Sequence, residues 1–332
     1  MASRRMILYS IMSSGEAAMA KARFSGIYPI LYGFFREDGA LDHASMRRQV
    51  EHCIAAGAHG IAILGLVTEV NKMDVNERRA VVEAVGEMIA GRVPYAVTVG
   101  EPTIHGQIAF SKAAKAAGAD WVILQPPTAR GGGEAELVRF FGAIADGLDM
   151  PVGIQNNPVN LDVSLSPASL IALHRQHANI TLLKGEGFSV DIARVIEGTD
   201  GAMDVFGGHG GIEFMALLRS GGAGLIPAPD CLAIQVKLYE LWRKGDAASQ
   251  AEAERLHREV LPLIVFMTRG IPSLLTYGKR LFAERIGAPV GLERAPALAP
   301  TAFGLAEVRR LIEDLQRTES ECGIVGVPEI AK

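Results

Sequence analysis

Cysteine is scarce in this chain, and its placement is informative. The three cysteines, Cys53, Cys231 and Cys322, are odd in number and far apart. That excludes a disulfide scaffold and a cysteine-based zinc site, and it fits a reducing, cytoplasmic setting. Long apolar runs are missing as well. No uncharged stretch approaches the ~18–20 residues of a bilayer span, so no membrane partner is expected. Thirty-three basic against 37 acidic residues give a net charge of −4, which leaves no electrostatic footprint for nucleic acid. The eight histidines show no ligand spacing such as H-E-x-x-H, so neither a metal nor another cofactor is expected. Aromatic residues make up only 6%, yet 49% of the 332 residues are apolar, and that content excludes disorder. What remains is an α/β protein rich in glycine and alanine.

Residues 1–23 read differently from the rest. Arg4-Arg5 precedes a short apolar run, Met6–Met12, which is interrupted by Tyr9 and Ser10. A disordered extension is expected, with a secretory signal or a start at Met19 as alternatives. From Gly26 onward, short apolar runs alternate with helical patterns. Strands are predicted at Ile27–Gly33, Gly60–Gly65, Tyr95–Gly100, Trp121–Gln125, Val152–Asn156, Thr181–Lys184, Asp204–Gly207 and Ala223–Ala228. Each is apolar on both faces, as strands under covering helices are. Helices are predicted at His43–Ala56, Asn76–Ile89, Ile104–Ala117 and Glu134–Gly147, with starts at Asp74 and Ser166. Glycines in Ala56-Gly57-Ala58, Ala117-Gly118-Ala119 and Gly221-Gly222-Ala223 suit left-handed caps between a helix and the next strand.

Eight strands, each followed by a helix, predict a (β/α)8 TIM barrel over 24–245, with a C-terminal helical appendage over 246–332. A doubly wound sheet is the competitor. No G-x-G-x-x-G follows the first strand, which weakens it. The appendage reads as Ala247–Thr268, Ile271–Ile286 and a last helix around Leu305–Leu315.

In such a barrel the chemistry sits at the C-terminal strand ends. There the chain carries Gly65-Leu66-Val67-Thr68-Glu69, Gln125-Pro126-Pro127-Thr128, Gln155-Asn156-Asn157-Pro158, Lys184-Gly185-Glu186, Gly207-Gly208-His209-Gly210 and Pro227-Ala228-Pro229. Lys184 closes an apolar run, where desolvation lowers an amine's pKa and frees it to attack ketones. The alternative is an ion pair with Glu186 or Glu69 that anchors a loop. Glu69 is a candidate site carboxylate or a loop brace, and Glu186 a general base or the partner of Lys184. Thr68 is a substrate donor or a turn residue, and His209 a substrate contact or a loop histidine. The surrounding glycines suit a close backbone approach or an anion site. Gly131–Gly133 reads as a flexible loop over the site mouth.

The run Phe24–Pro29, the Gly60–Glu69 segment, Asn156-x-Pro158, Leu183-Lys184 and Gly221-Gly222-x-Gly224 together resemble the dihydrodipicolinate synthase / N-acetylneuraminate lyase family of Schiff-base aldolases and dehydratases. The resemblance spans about residues 24–290. It implies that Lys184 forms an imine with a 2-oxo acid, and that Glu69 and Gln155 share the catalytic site. It further implies that Leu66, Val67, Thr68, Asn156, Glu186, His209 and Pro227 line the substrate, and that the chain forms a homotetramer. The apolar bulk of Tyr239, Trp242, Phe266, Met267 and Leu281 supports such an interface.

The departures bear on substrate. Leu66 and Val67 replace two threonines of the family pattern, Gln155 replaces its proton-shuttling tyrosine, and Asn160 its carboxylate-gripping arginine. The 2-keto-3-deoxy-L-arabonate dehydratases show similar losses, which points to a 2-keto-3-deoxy sugar acid. Dihydrodipicolinate synthase or an N-acetylneuraminate lyase-type aldolase is the alternative. So are a barrel of the phosphate-binding type, such as a sugar-phosphate isomerase, and a non-catalytic binder of 2-oxo acids.

Overall fold

The computed structural model describes residues 24–127 and 132–324. The expected N-terminal extension, Thr128 and Gly131 lie outside the described residues. The strands are β1 Gly26–Ile27, β2 Ile61–Ile63, β3 Tyr95–Val99, β4 Trp121–Leu124, β5 Val152–Asn156, β6 Ile180–Gly185, β7 Asp204–Gly207 and β8 Gly224–Leu225. They form one sheet in the order β1-β8-β7-β6-β5-β4-β3-β2, with the β4–β5, β5–β6, β6–β7 and β7–β8 ladders parallel. This is the (β/α)8 barrel that the alternation predicts. Apart from the half-buried Thr181, every residue of these strands is buried, which explains why they read as continuous apolar runs.

Between the strands lie α1 His43–Ala55, α2 Val75–Ile89, α3 Ile104–Ala116, α4 Glu134–Asp146, α5 Pro158–Leu161, α6 Pro167–Gln176, α7 Ser189–Gly198 and α8 Phe214–Arg219. Asp74 starts α2 with a full capping box to Glu77, and Ser166 caps α6 ahead of Pro167, as predicted. Gly57, Gly118 and Gly221 take φ of 83°, 95° and 92°, the left-handed turn that the punctuation required.

The sequence overestimates two strands. Pro29 and Pro227 lie in the runs read as β1 and β8, and a residue without an N–H cannot extend a ladder. The later helices also differ. After α9 Leu232–Arg243 and α10 Ala247–Met267, the run read as one helix divides into α11 Ile271–Ser273, a π-turn Leu274–Gly278 and α12 Lys279–Arg285. The last helix, α13 Ala302–Glu321, is longer than predicted because Thr301 caps it, accepting from Gly304 N. Among the described residues, no single helix is long and apolar enough to cross a membrane.

Two compact units divide the described residues: 24–26 with those of 97–225, and 27–96 with 226–324. In the first, Trp121 stacks on Phe206 at 5.6 Å. In the second, Tyr239, Met267 and Leu281 are buried, so most of the bulk read as interface belongs to that unit's own core.

The second core also holds a buried carboxyl. Tyr32 Oη donates to Asp230 at 2.8 and 3.0 Å. Burial pushes Asp230 up to about 6, against the smaller opposing pull of the Tyr32 hydrogen bond. A carboxyl raised in the folded state stabilises it below the unfolded pKa, and that contribution is lost as pH rises through the folded value. Stability on the order of 3 kcal/mol is therefore expected to disappear between about pH 4 and pH 6. Asp230→Asn keeps an acceptor for Tyr32 and should raise Tm above pH 6 while matching the parent near pH 4. Thermal melts across pH check this; a constant offset would show that Asp230 titration is not the cause.

Candidate active site

The register of the first unit places the site. Gln155 pairs with Lys184 and Lys184 with Phe206, so these three share one row across β5, β6 and β7. The next row is Asn156, Gly185, Gly207 and Leu225, and its side chains face the other way. A Cβ on Gly185 would meet Ile192 of α7, and one on Gly207 would meet Leu217 of α8. That face is therefore the helix-covered one, and Lys184 stands on the opposite face.

Lys184 is 5% exposed. Its Nζ lies 3.6 Å from Glu186 Oε1, close enough for charge pairing and beyond hydrogen-bond distance. The other oxygen of Glu186 accepts from Gln155 Nε2 at 2.6 Å and Asn157 Nδ2 at 3.0 Å. Gln155 is set in turn by Gln125, whose Nε2 donates to Gln155 Oε1 at 2.9 Å. A flipped Gln155 would put its carbonyl against the carboxylate, so Gln125 fixes which end faces Glu186. Gly208 completes the arrangement: a Cβ there would fall 2.3 Å from Glu186 Oε1, and only a residue without one allows this approach.

Other predicted residues of this unit are placed differently. Asn156 binds the backbone of Leu165 with both ends of its amide, at 3.0 and 2.8 Å. It holds the loop after β5. His209 sits at φ 49°, with Nε2 3.3 Å from Asn160 Nδ2. Asn160 also reaches Asn157 Oδ1 through its backbone and side-chain nitrogens, which links His209 to the residues that hold Glu186.

Glu69, Thr68, Leu66, Val67 and Pro227 belong to the second unit. There Leu66–Thr68 is a 3₁₀ turn and Glu69 takes φ 63°, a left-handed position that non-glycine residues seldom occupy. Glu69 Oε1 accepts from Lys279 and Oε2 from Lys72, both at 2.9 Å. Thr68 Oγ1 donates to Leu31 O at 2.7 Å, Val67 is buried, and Pro227 O accepts from Ile30 N. Sequence reasoning did not select Gln125, Asn157 or Lys279. Gln125 was visible by the same signal as Lys184, a polar residue closing an apolar strand. The other two carry no local signal.

A buried lysine at a (β/α)8 strand end, beside a carboxylate fixed by amides, defines the class: a barrel lyase. The model of the Dihydrodipicolinate synthetase family matches residues 23–314, and the chain belongs to that family, whose members are aldolases and synthases. It is 28% identical over 81% of its length and 89% of the relative to an Escherichia coli protein named "Probable 2-dehydro-3-deoxy-D-pentonate aldolase YjhH". It is 31% identical over 82% of its length and 93% of the relative to 4-hydroxy-tetrahydrodipicolinate synthase of Methanoculleus marisnigri. Among solved structures, it resembles that of Escherichia coli YagE, a family member in complex with pyruvate. The TM-score is 0.81 at 27% identity, covering 89% of this chain and 99% of that one.

Proposed function

We propose that the protein is an imine-forming lyase in which the amine of Lys184 attacks the ketone of a small 2-oxo acid. The observation that carries this reading is a buried lysine facing one carboxylate that is itself immobilised. Addition of the amine to the C2 carbonyl and loss of one water give a protonated imine. That electron sink acidifies the C3–H bond, and Glu186 takes the proton. Return of this proton to a C4 hydroxyl as it departs releases water, and hydrolysis of the remaining imine frees the dehydrated 2-oxo acid and Lys184. Removal of the C4 hydroxyl proton by Glu186 instead breaks C3–C4 and releases an aldehyde; the enamine left behind takes that proton at C3, and hydrolysis of the imine frees pyruvate and Lys184. Gln155 and Asn157 act by holding Glu186 so that Oε1 faces the amine. Thr68 and Glu69 are scaffold in this reading, because their polar atoms already bind within the chain.

A 2-keto-3-deoxy sugar acid such as 2-keto-3-deoxy-L-arabonate has the C3–H and C4–OH that either route needs. The pentonate named for YjhH supports this choice. Gln155 and Asn160, in place of a tyrosine and an arginine, speak against the synthase reaction. We also place the protein in the cytoplasm as a homotetramer, and sedimentation as a monomer at micromolar concentration would overturn the latter.

Borohydride in the presence of pyruvate tests the imine. A reduced adduct on the peptide containing Lys184 is expected, and an unmodified protein would refute the reading. A turnover screen of 2-keto-3-deoxy acids then separates an enzyme from a mere binder.

A further inference from the structure

On the helix-covered face of β6 and β7 lies a cleft of about 440 Å³, within the size range of small-molecule sites. Ile192 and Leu217 pack directly onto Gly185 and Gly207, where a Cβ would fall 2.4 and 2.9 Å from them, and the cleft opens beside these contacts. Its walls are apolar: Ile192, Phe214, Leu217 and Leu225 inside, with Phe188, Val159 and Ile212 at the mouth. Phe188 is 75% and Val159 71% exposed, which is unusual for large apolar groups beside a site. Glu186 is common to the cleft lining and to the pair with Lys184, its Oε1 standing 3.6 Å from Nζ. Glu186 is therefore the residue that joins the cleft to the surroundings of the amine.

We propose that this cleft receives an aliphatic or aryl tail on the 2-oxo acid bound at Lys184, extending the substrate range beyond sugar acids. The inference rests on the imine reading for where the oxo group goes. A polyol tail leaves such walls poorly solvated, because its hydroxyls find few partners there. A hydrocarbon tail loses nothing and gains burial, about fourfold in affinity per buried methylene. The end of β6, where Gly187 and Phe188 follow Glu186, is the edge over which the tail passes from the amine to the cleft.

Two measurements test the cleft separately from the imine. In the first, 4-phenyl-2-oxobutanoate and 2-oxohexanoate compete with pyruvate for borohydride trapping. Half-maximal trapping is expected at a concentration at least about tenfold lower than for pyruvate. Ile212→Trp, which fills the mouth, should bring that ratio toward one. In the second, calorimetry follows binding of 4-phenylbutanoate, which has the tail but no ketone. Binding to the parent chain and its loss in Ile212→Trp would support the cleft even if no imine formed. Tailed acids that trap no better than pyruvate, with no calorimetric signal, would overturn the proposal. So would a parent oligomer that Ile212→Trp dissociates without any ligand binding, because the cleft would then be a subunit contact. Loss of pyruvate trapping alone would refute the imine and leave the calorimetric result to decide the cleft.

Discussion

Lys184→Ala is expected to abolish borohydride trapping of pyruvate and to lower kcat/KM by about four orders of magnitude or more, as loss of a covalent nucleophile does. The protein should stay folded. Glu186 keeps its two donors, Gln155 at 2.6 Å and Asn157 at 3.0 Å, so truncating the lysine leaves no carboxylate without partners. Lys184→Arg should fail equally, because the guanidinium remains protonated and cannot add to a carbonyl. The sharpest control is the other buried lysine. Lys279 is fully buried, and burial lowers its pKa against the opposing pull of Glu69. It is thus a rival amine by pKa, but its Nζ is bonded to Glu69 at 2.9 Å. Mass spectrometry of the reduced adduct must find the label on Lys184 and not on Lys279. Trapping on Lys279, or turnover retained in Lys184→Ala, would refute the mechanism.

The two buried lysines also show what a sequence can and cannot convey. Lys184 is legible because strand burial is written locally: an amine that ends an apolar run has nowhere solvated to go. Lys279 lies within a helical pattern, where a lysine every few residues reads as a solvated face. Its burial follows from the π-turn just before it and from Phe34 and Phe35, whose ring centroids lie 5.7 and 5.4 Å from Nζ. Neither aromatic contact is local. The strand–helix alternation, the caps at Asp74 and Ser166 and the left-handed glycines were readable for the same reason, since each depends on neighbours a few residues away. The Gln125–Gln155–Glu186 chain was not, because its members sit in β5 or just past the ends of β4 and β6 and meet only through register. Glu69 reads from the sequence as a site carboxylate or a loop brace, because its partners Lys72 and Lys279 include one 210 residues away.

Glu69→Gln therefore tests architecture as much as function, and a large loss of stability is expected. Glu69 is 3% and Lys279 0% exposed; the variant would leave Lys279 buried without its bonded counter-charge, with only the longer-range pull of Glu293 set against the Lys72 ammonium. Removing one partner of a buried pair costs about 3–5 kcal/mol, because the remaining charge is left uncompensated. For a chain of this size that corresponds to a fall in Tm of about 4–7 °C. Lys279→Met alone should cost less, because Glu69 keeps Lys72 at 2.9 Å and methionine fills much of the space. Adding Lys279→Met to Glu69→Gln should recover most of the lost stability, since removing both charges removes the desolvation penalty with the attraction. Thermal melts of the four proteins give the coupling between the two residues. Activity of the double variant then separates the roles: near-parental turnover identifies Glu69 as scaffold, and a folded but inactive protein would make its carboxylate part of the chemistry. A Glu69→Gln protein that melts with the parent would show that the pair carries no such penalty.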